Sequence, residues 1–443
     1  MNRRTLVVAT LTATVAAHGC GDSGTEPGPG APASLVIASG ALELFVPESR
    51  QLVARVEDAN GRSLDATVNW TMGDPAVASV NGNGEVTAVG VGTTHVEARV
   101  GSLADSVPVQ VLETLQLVFP LEGVLNTDFY YVNYVDLRSG PGILDYRCGP
   151  KSYDGHHGVD LTLPSFERMD EGVRILAAAP GTVTQIADGV FDRSTTNGPG
   201  GFGNHVRLQH RDGFESIYGH MARSSVAVSL GQSVEAGQVL GLVGSSGNSD
   251  MPHLHVEFLR YGSVVDAFAG ECGDVVDHWA AADPYQDEFG LIQSRLTTAD
   301  LTLDLVKAPV AHTSTFSTDD VRFSAWVHLA NVREGSTSRF DLFDPDGGLF
   351  WTYSFTHDRF WAMSWWWVWR TLQGSMTVPG TWRLEYRNDG NLLAEHDFEL
   401  VEAAASAVNR APAGSGGPAA GMGGGGLGAG GMAPGPRRAT GPG

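Results

Sequence analysis

The sequence predicts a mainly β, multidomain chain, and three observations carry that expectation. Residues 33 to 113 alternate apolar and polar side chains in short runs such as "RQLVARVED" and "HVEARV", separated by the turn signals "DANGR" and "NGNGE", the pattern of a small antiparallel sandwich. Residues 115 to 291 hold most of the histidines in short β-type runs, including "TVTQIAD", "NHVRLQH" and "HLHVEFLRYG", with few helical stretches, and read as an antiparallel sheet. Residues 297 to 402 form a third β pattern. At 443 residues the chain is too long for one ordinary core.

The chain opens with positive charge at Arg3 and Arg4, followed by an apolar run from Thr5 to Ala17. That run is too short to span a bilayer, so residues 1 to 19 read as an export signal. It ends in "AAHGCGDSGTEPGPGAP", which resembles the lipobox of bacterial lipoproteins, with His18 departing from the small residue usual there. The resemblance implies acylation of Cys20 and membrane attachment through it, and the Gly/Ser/Pro-rich composition of residues 20 to 32 reads as a flexible linker. The expected location is the cell envelope, in the periplasm or at the outer membrane, or else secreted.

Hydrophobic residues at 42% and charged residues at 18% fit a soluble globular protein. A formal net charge of -22 opposes electrostatic capture of nucleic acid or of an anionic membrane surface. With Cys20 set aside, Cys148 and Cys272 remain, and an oxidising compartment would let them pair. The alternative is two unpaired buried thiols.

The first sandwich, through "VNWTMGDPAVASVNGNGEVTAVGVGTTHVEARV", is similar to the group 2 bacterial immunoglobulin-like domains and carries no ionisable cluster suited to chemistry. A spacer or adhesive role is expected for this Ig-like β-sandwich. In the third β segment, "RFWAMSWWWVWRTL" puts Trp361, Met363, Trp365, Trp367 and Trp369 on one face. Such a face could stack on sugar rings, but the expectation is the interior of a C-terminal β-sandwich. Residues 403 to 443, rich in Gly, Pro and Ala, are expected to be disordered.

The chemistry sits in the central segment. On a strand, His253 and His255 of "MPHLHVEF" share a face, with Glu257 further along it. "GHHGVDLTLP" offers His156 and Asp160 beside a glycine. Imidazole and carboxylate are good zinc ligands, and three protein ligands plus water is the catalytic arrangement. His156, Asp160 and His255 supply that number. No His-Glu-x-x-His occurs, so His220, at the end of "SIYGHM", and His253 are the imidazoles left to handle protons. Glu257 could orient a ligand or stand as a solvated carboxylate.

Residues 150 to 287 resemble the lysostaphin/LytM-type zinc metallopeptidases through four ordered blocks: "HHGVD", "APGTVTQIAD" followed by "GNHVRLQHRDGFESIYGHM", "SVEAGQVLGLVGSSGNSDMPHLHVEF" and "DPY". The resemblance implies an antiparallel β-sheet metallopeptidase domain. His156, Asp160 and His255 would bind one Zn2+ per chain, and His220 and His253 would assist catalysis. The implied reaction is hydrolysis of peptide bonds in peptidoglycan, with stem peptides and cross-links as partners. His157 and His210 match positions without a metal role and are expected to pack or face solvent. Two stretches depart from the family pattern: "DLTLPSFERMDEGVRILAAAPG" is long after Asp160, and "GNSDMPHLH" has Asp250-Met251 where Thr-Gly is common. Both border the groove and bear on substrate choice. A non-hydrolytic regulator of other wall hydrolases and an envelope adhesin are the rival readings.

Overall fold

A computed structural model of the chain describes residues 30–281 and 283–403 and the backbone of the strand Ala420–Leu427. Residues 1–29, which hold the expected signal peptide, Cys20 and most of the expected linker, lie outside the described residues, as do residues 404–419 and 428–443. The chain divides into two compact units, Met1–Leu112 and Glu113–Gly443.

The first unit is built as its alternation implies. Along Leu103–Leu112 every second residue from Val107 to Val111 is buried, and these valines close on Leu35, Leu44, Val56, Val86 and Val96 from neighbouring strands. Most pairings are antiparallel, but Leu42–Phe45 runs parallel to Leu103–Leu112.

The second unit contains a central eight-stranded antiparallel sheet. Its spine places Tyr130–Asn133 beside Val159–Thr162, then His253–Arg260, Phe214–Gly219, His205–Gln209 and Gly181–Ala187. The His253–Arg260 strand is buried at six of eight positions, so both of its faces are covered. An aromatic cluster forms in the same unit, in which Tyr146 stacks on Phe268 at 4.9 Å and Tyr134 on Tyr285 at 5.4 Å. Cys148 and Cys272 are bridged beside it, with Cα atoms 5.2 Å apart, and Cys272 N donates to Tyr146 O.

The C-terminal sandwich belongs to the same unit. One sheet holds Gly290–Thr297, Arg322–Val332, Trp361–Thr371 and Ala420–Leu427, and the other holds five strands between Thr315 and Val401. Three expectations are corrected here. The strand Gly290–Thr297 pairs with Arg322–Val332, so the sandwich begins before the expected limits of 291 and 297; all but its last two residues are half-buried, and no polar break marks the boundary. The tail expected to be disordered contains the strand Ala420–Leu427, which lies along the otherwise open edge of Trp361–Thr371, where unpaired backbone groups offer a template. Finally, Met363, Trp365 and Trp367 do not face the sandwich interior. Trp361, Trp366, Val368 and Leu372 do, while the Trp365 face packs on Leu301, Val306 and the central-domain residues Val132 and Met251.

Buried Asp266 gives this unit a pH-dependent stability term. Burial pushes its carboxyl up to about 7, against the hydrogen bond it accepts from Phe268 N and with added repulsion from Asp274. A group raised in the folded state contributes fully below its unfolded value of 3.8, and that contribution is lost as pH rises through the folded value, at about 1.4 kcal/mol for each pH unit of separation. Asp266→Asn keeps the acceptor for Phe268 N and cannot ionise. Its melting temperature relative to the unmodified chain is expected to be higher at pH 8 than at pH 4.5, measured by calorimetry; a constant difference would contradict the assignment.

Candidate metal centre

Strand register assembles the site. Asp160 lies directly across from His255 in the antiparallel ladder, and His255 lies across from Gly219 on its other side, so the residue after Gly219, His220, arrives at the same place. His220 has a φ of 59°, a left-handed backbone uncommon for a non-glycine residue and frequent where function fixes a side chain. Gly158 is required by packing, because a Cβ there would stand 2.7 Å from the His255 ring.

Three ligand-type atoms form a small triangle. His156 Nε2 is 3.2 Å from His255 Nδ1 and 3.2 Å from Asp160 Oδ1, and His255 Nδ1 is 2.9 Å from the same Oδ1. Metal bonds of about 2.0–2.1 Å in a tetrahedron imply ligand separations of roughly 3.3 Å, so the triangle is the right size to hold a first-row divalent ion. Two imidazoles and one carboxylate suit zinc. All three residues are buried.

Hydrogen bonds from outside the triangle fix the orientation of His156 and Asp160. His156 Nδ1 donates to Tyr134 O at 2.8 Å, which frees Nε2 for the triangle. Asp160 Oδ2 accepts from Asn133 Nδ2 at 2.9 Å, which leaves Oδ1 inward. His255 Nε2 has Glu257 Oε2 at 3.7 Å; Glu257 is buried and so is not a solvated carboxylate. Burial works against the charge of Asp160, but the charge of His156 and the hydrogen bonds of His156 and His255 outweigh it and hold the carboxyl well below its usual range. Burial also opposes charge on His255, yet its hydrogen bond to Asp160 and the nearby Glu257 carboxylate push it up to about 9.

His220 and His253 stand beside the triangle, with ring centroids 4.5 Å apart. His220 Nδ1 donates to Ser246 O at 2.7 Å, and His253 Nδ1 to Met251 O at 2.9 Å. Each therefore keeps Nε2 as an acceptor, and His253 Nε2 is 3.7 Å from Asp160 Oδ1. Burial, reinforced by His253 and His255, holds His220 well below the usual histidine value, so it is neutral at pH 7. Both rings line a groove with Asp160, Asn133, Tyr153, Asn197, Asn248 and Asp250.

All five residues singled out in the sequence thus converge. His157 is exposed, and His210 is held between Pro180 O at 2.8 Å and Ser216 Oγ at 2.7 Å. Asn133 and Tyr153 escape sequence reading. Tyr153 packs against the His156 ring at 4.4 Å, and burial together with Asp160 and Glu257 pushes its phenol up, so it remains a hydrogen-bond donor. Its place three residues before His156 is the one signal that could have marked it.

Residues 154–267, which include His156, Asp160, His220, His253 and His255, match the family model described as peptidase family M23. The chain carries an M23 peptidase domain. Residues 38–111 match the bacterial Ig-like domain, group 2. Over 114 residues the chain is 34% identical to DD-carboxypeptidase/endopeptidase Mpg of Neisseria meningitidis serogroup B, covering 25% of this chain and 22% of that protein. Over 96 residues it is 39% identical to the murein hydrolase activator EnvC of Escherichia coli, covering 22% and 20%. The chain thus spans about a fifth of the length of these curated relatives. The solved catalytic domain of the prophage-encoded M23 protein EnpA from Enterococcus faecalis is 31% identical, with 31% of this chain and 88% of that chain covered and a TM-score of 0.22.

Proposed function

We propose that the protein is a zinc-dependent endopeptidase that hydrolyses the peptide cross-links of bacterial peptidoglycan. In this reading it is exported to the cell envelope and tethered through acylated Cys20. The observation that carries the reading is the triangle of His156 Nε2, Asp160 Oδ1 and His255 Nδ1, with His156 and Asp160 each oriented by a further hydrogen bond and all three lining or adjoining one groove. These three residues would hold one zinc ion. When bound, it supplies Lewis acidity, polarising a scissile carbonyl and acidifying a water molecule toward neutral pH.

The chain's own residues then divide the proton work. Neutral His220 accepts a hydrogen bond through Nε2 and orients the attacking water. His253, whose Nε2 has the Asp160 carboxylate nearby to offset charge, takes the proton and passes it to the departing amine. Tyr153 remains protonated and donates to the carbonyl oxygen as negative charge develops there. No Lys or Arg is among the described residues lining the groove, so no cation there pairs with a terminal carboxylate, which supports cleavage within a chain.

The name of the EnvC relative makes activation without cleavage the second reading. Purified sacculi separate the two: chelator-sensitive clearing by the protein alone supports the enzyme. Clearing that requires a second hydrolase, or tight binding without clearing, supports a regulator or an adhesin.

Asn133 gives a finer test. Partners that orient a ligating carboxylate typically matter ~10–100-fold for metal affinity. Asn133→Ala is expected to raise the zinc dissociation constant by about that factor, read by competition with a fluorescent chelator, while the fold persists.

A further inference from the structure

Both stretches that depart from the family pattern are held by the C-terminal sandwich. After Asp160 the chain forms the short helix Phe166–Asp170, and Glu167 Oε1 accepts from Nη1 of Arg295 at 3.0 Å. Arg295 lies on the sandwich strand Gly290–Thr297. At the second stretch Met251 is buried against the Trp326 and Trp365 cluster, and Asp250 Oδ2 lies 2.7 Å from Lys307 Nζ.

Lys307 ends the helix Leu303–Lys307 and is 3% exposed. Its ammonium also donates to Thr195 O at 3.2 Å and stands 5.4 Å from the centroid of the Trp365 ring. Thr195 and Asp250 sit in different loops. One carries Asn197 to the groove and the other carries Asn248, Asp250 and Met251. A buried ammonium needs its donors satisfied, and here a carboxylate from one loop and a carbonyl from the other satisfy two of them. The same cation faces the π surface of a tryptophan in the sandwich. Met251 O is in turn the acceptor for His253 Nδ1, so the clamped loop ends at the reacting imidazole.

We propose that Lys307 is a positioning residue of the groove: it ties the loops at Thr195 and Asp250 together against Trp365, so that the Trp-rich sandwich fixes from behind the loops that line the groove and thereby sets which peptides the site admits. The proposal rests on the hydrolase reading of the same groove. Its groove is lined by the neutral amides of Asn133, Asn197 and Asn248, and the charge of Asp250 is matched from behind by Lys307. A slender extended peptide with neutral flanks therefore fits between the loops, and loosening the clamp would cost substrate fit before it cost metal.

The test uses the full chain loaded with zinc. Lys307→Met alone would leave half-buried Asp250 without its ion-pair partner, so the paired variant Lys307→Met with Asp250→Asn is the informative one. Lys307→Arg keeps the charge. Zinc content, hydrogen exchange of residues 191–203 and 246–251, and kinetics on a soluble cross-linked muropeptide dimer are measured together. In the paired variant zinc content is expected to stay at one per chain. Exchange in both loops should accelerate, and kcat/KM should fall about tenfold, mostly through KM, with partial recovery in Lys307→Arg. Unchanged exchange and unchanged KM in the paired variant would overturn the proposal, as would a loss of zinc equal to the loss of activity. If the unmodified chain cleaves no dimer, the hydrolase reading falls and the selection role with it, whereas the exchange rates still decide whether Lys307 is a clamp.

Discussion

His255→Ala is expected to leave the purified protein without bound zinc and without hydrolytic activity, while His253→Ala keeps its zinc and loses activity by about 10²–10⁴-fold, the range for removal of a general acid or base. The two residues are neighbours on one strand face, so the contrast is a stringent one. His255 Nδ1 is a corner of the triangle, 2.9 Å from Asp160 Oδ1 and 3.2 Å from His156 Nε2, and its loss leaves two ligands where a catalytic zinc site needs three. His253 Nε2 stands outside the triangle, 3.7 Å from Asp160, and Nδ1 is committed to Met251 O. Metal content by atomic emission and turnover on sacculi read the two effects separately. Equal zinc loss in both variants would show that His253 is a ligand and that the division of roles is wrong.

Removing the bridge between Cys148 and Cys272 is expected to cost roughly 5 kcal/mol of unfolding free energy on the chain-entropy account, given the sequence separation of 124. The bridge joins the segment leading into the site to Cys272, whose N–H donates to Tyr146 O beside the Tyr146 and Phe268 stack. Tyr134, whose carbonyl orients His156, lies in the same aromatic cluster at 5.1 Å from Tyr146. Denaturant unfolding of the Cys148→Ser, Cys272→Ser chain against the oxidised protein measures the difference. A change below about 1 kcal/mol would mean that the aromatic cluster alone holds the segment.

Much of the candidate site is legible in the sequence because strand chemistry is periodic. Alternation alone puts His253, His255 and Glu257 on one face, and the four ordered blocks name their companions. Asn133 is not legible: it reaches Asp160 only because Tyr130–Asn133 pairs with Val159–Thr162 in a register that sets Asn133 across from Asp160, and register between distant strands leaves no local signal. The tryptophan strand misleads for a related reason. Alternation correctly groups Met363, Trp365 and Trp367, but residues on both faces of Trp361–Thr371 are buried, and a strand covered on both sides shows no polar contrast to say which face meets what. The glycine-rich tail misleads because composition reports the entropy a segment must lose, not the open sheet edge that receives Ala420–Leu427.

Mass spectrometry of muropeptides from purified sacculi incubated with the zinc-loaded chain tests the central claim most directly. Cross-linked dimers are expected to fall and monomers to rise in step, with glycan strands intact and the conversion abolished by a chelator or by Asp160→Ala. Dimers that persist while the protein holds one zinc per chain would contradict it.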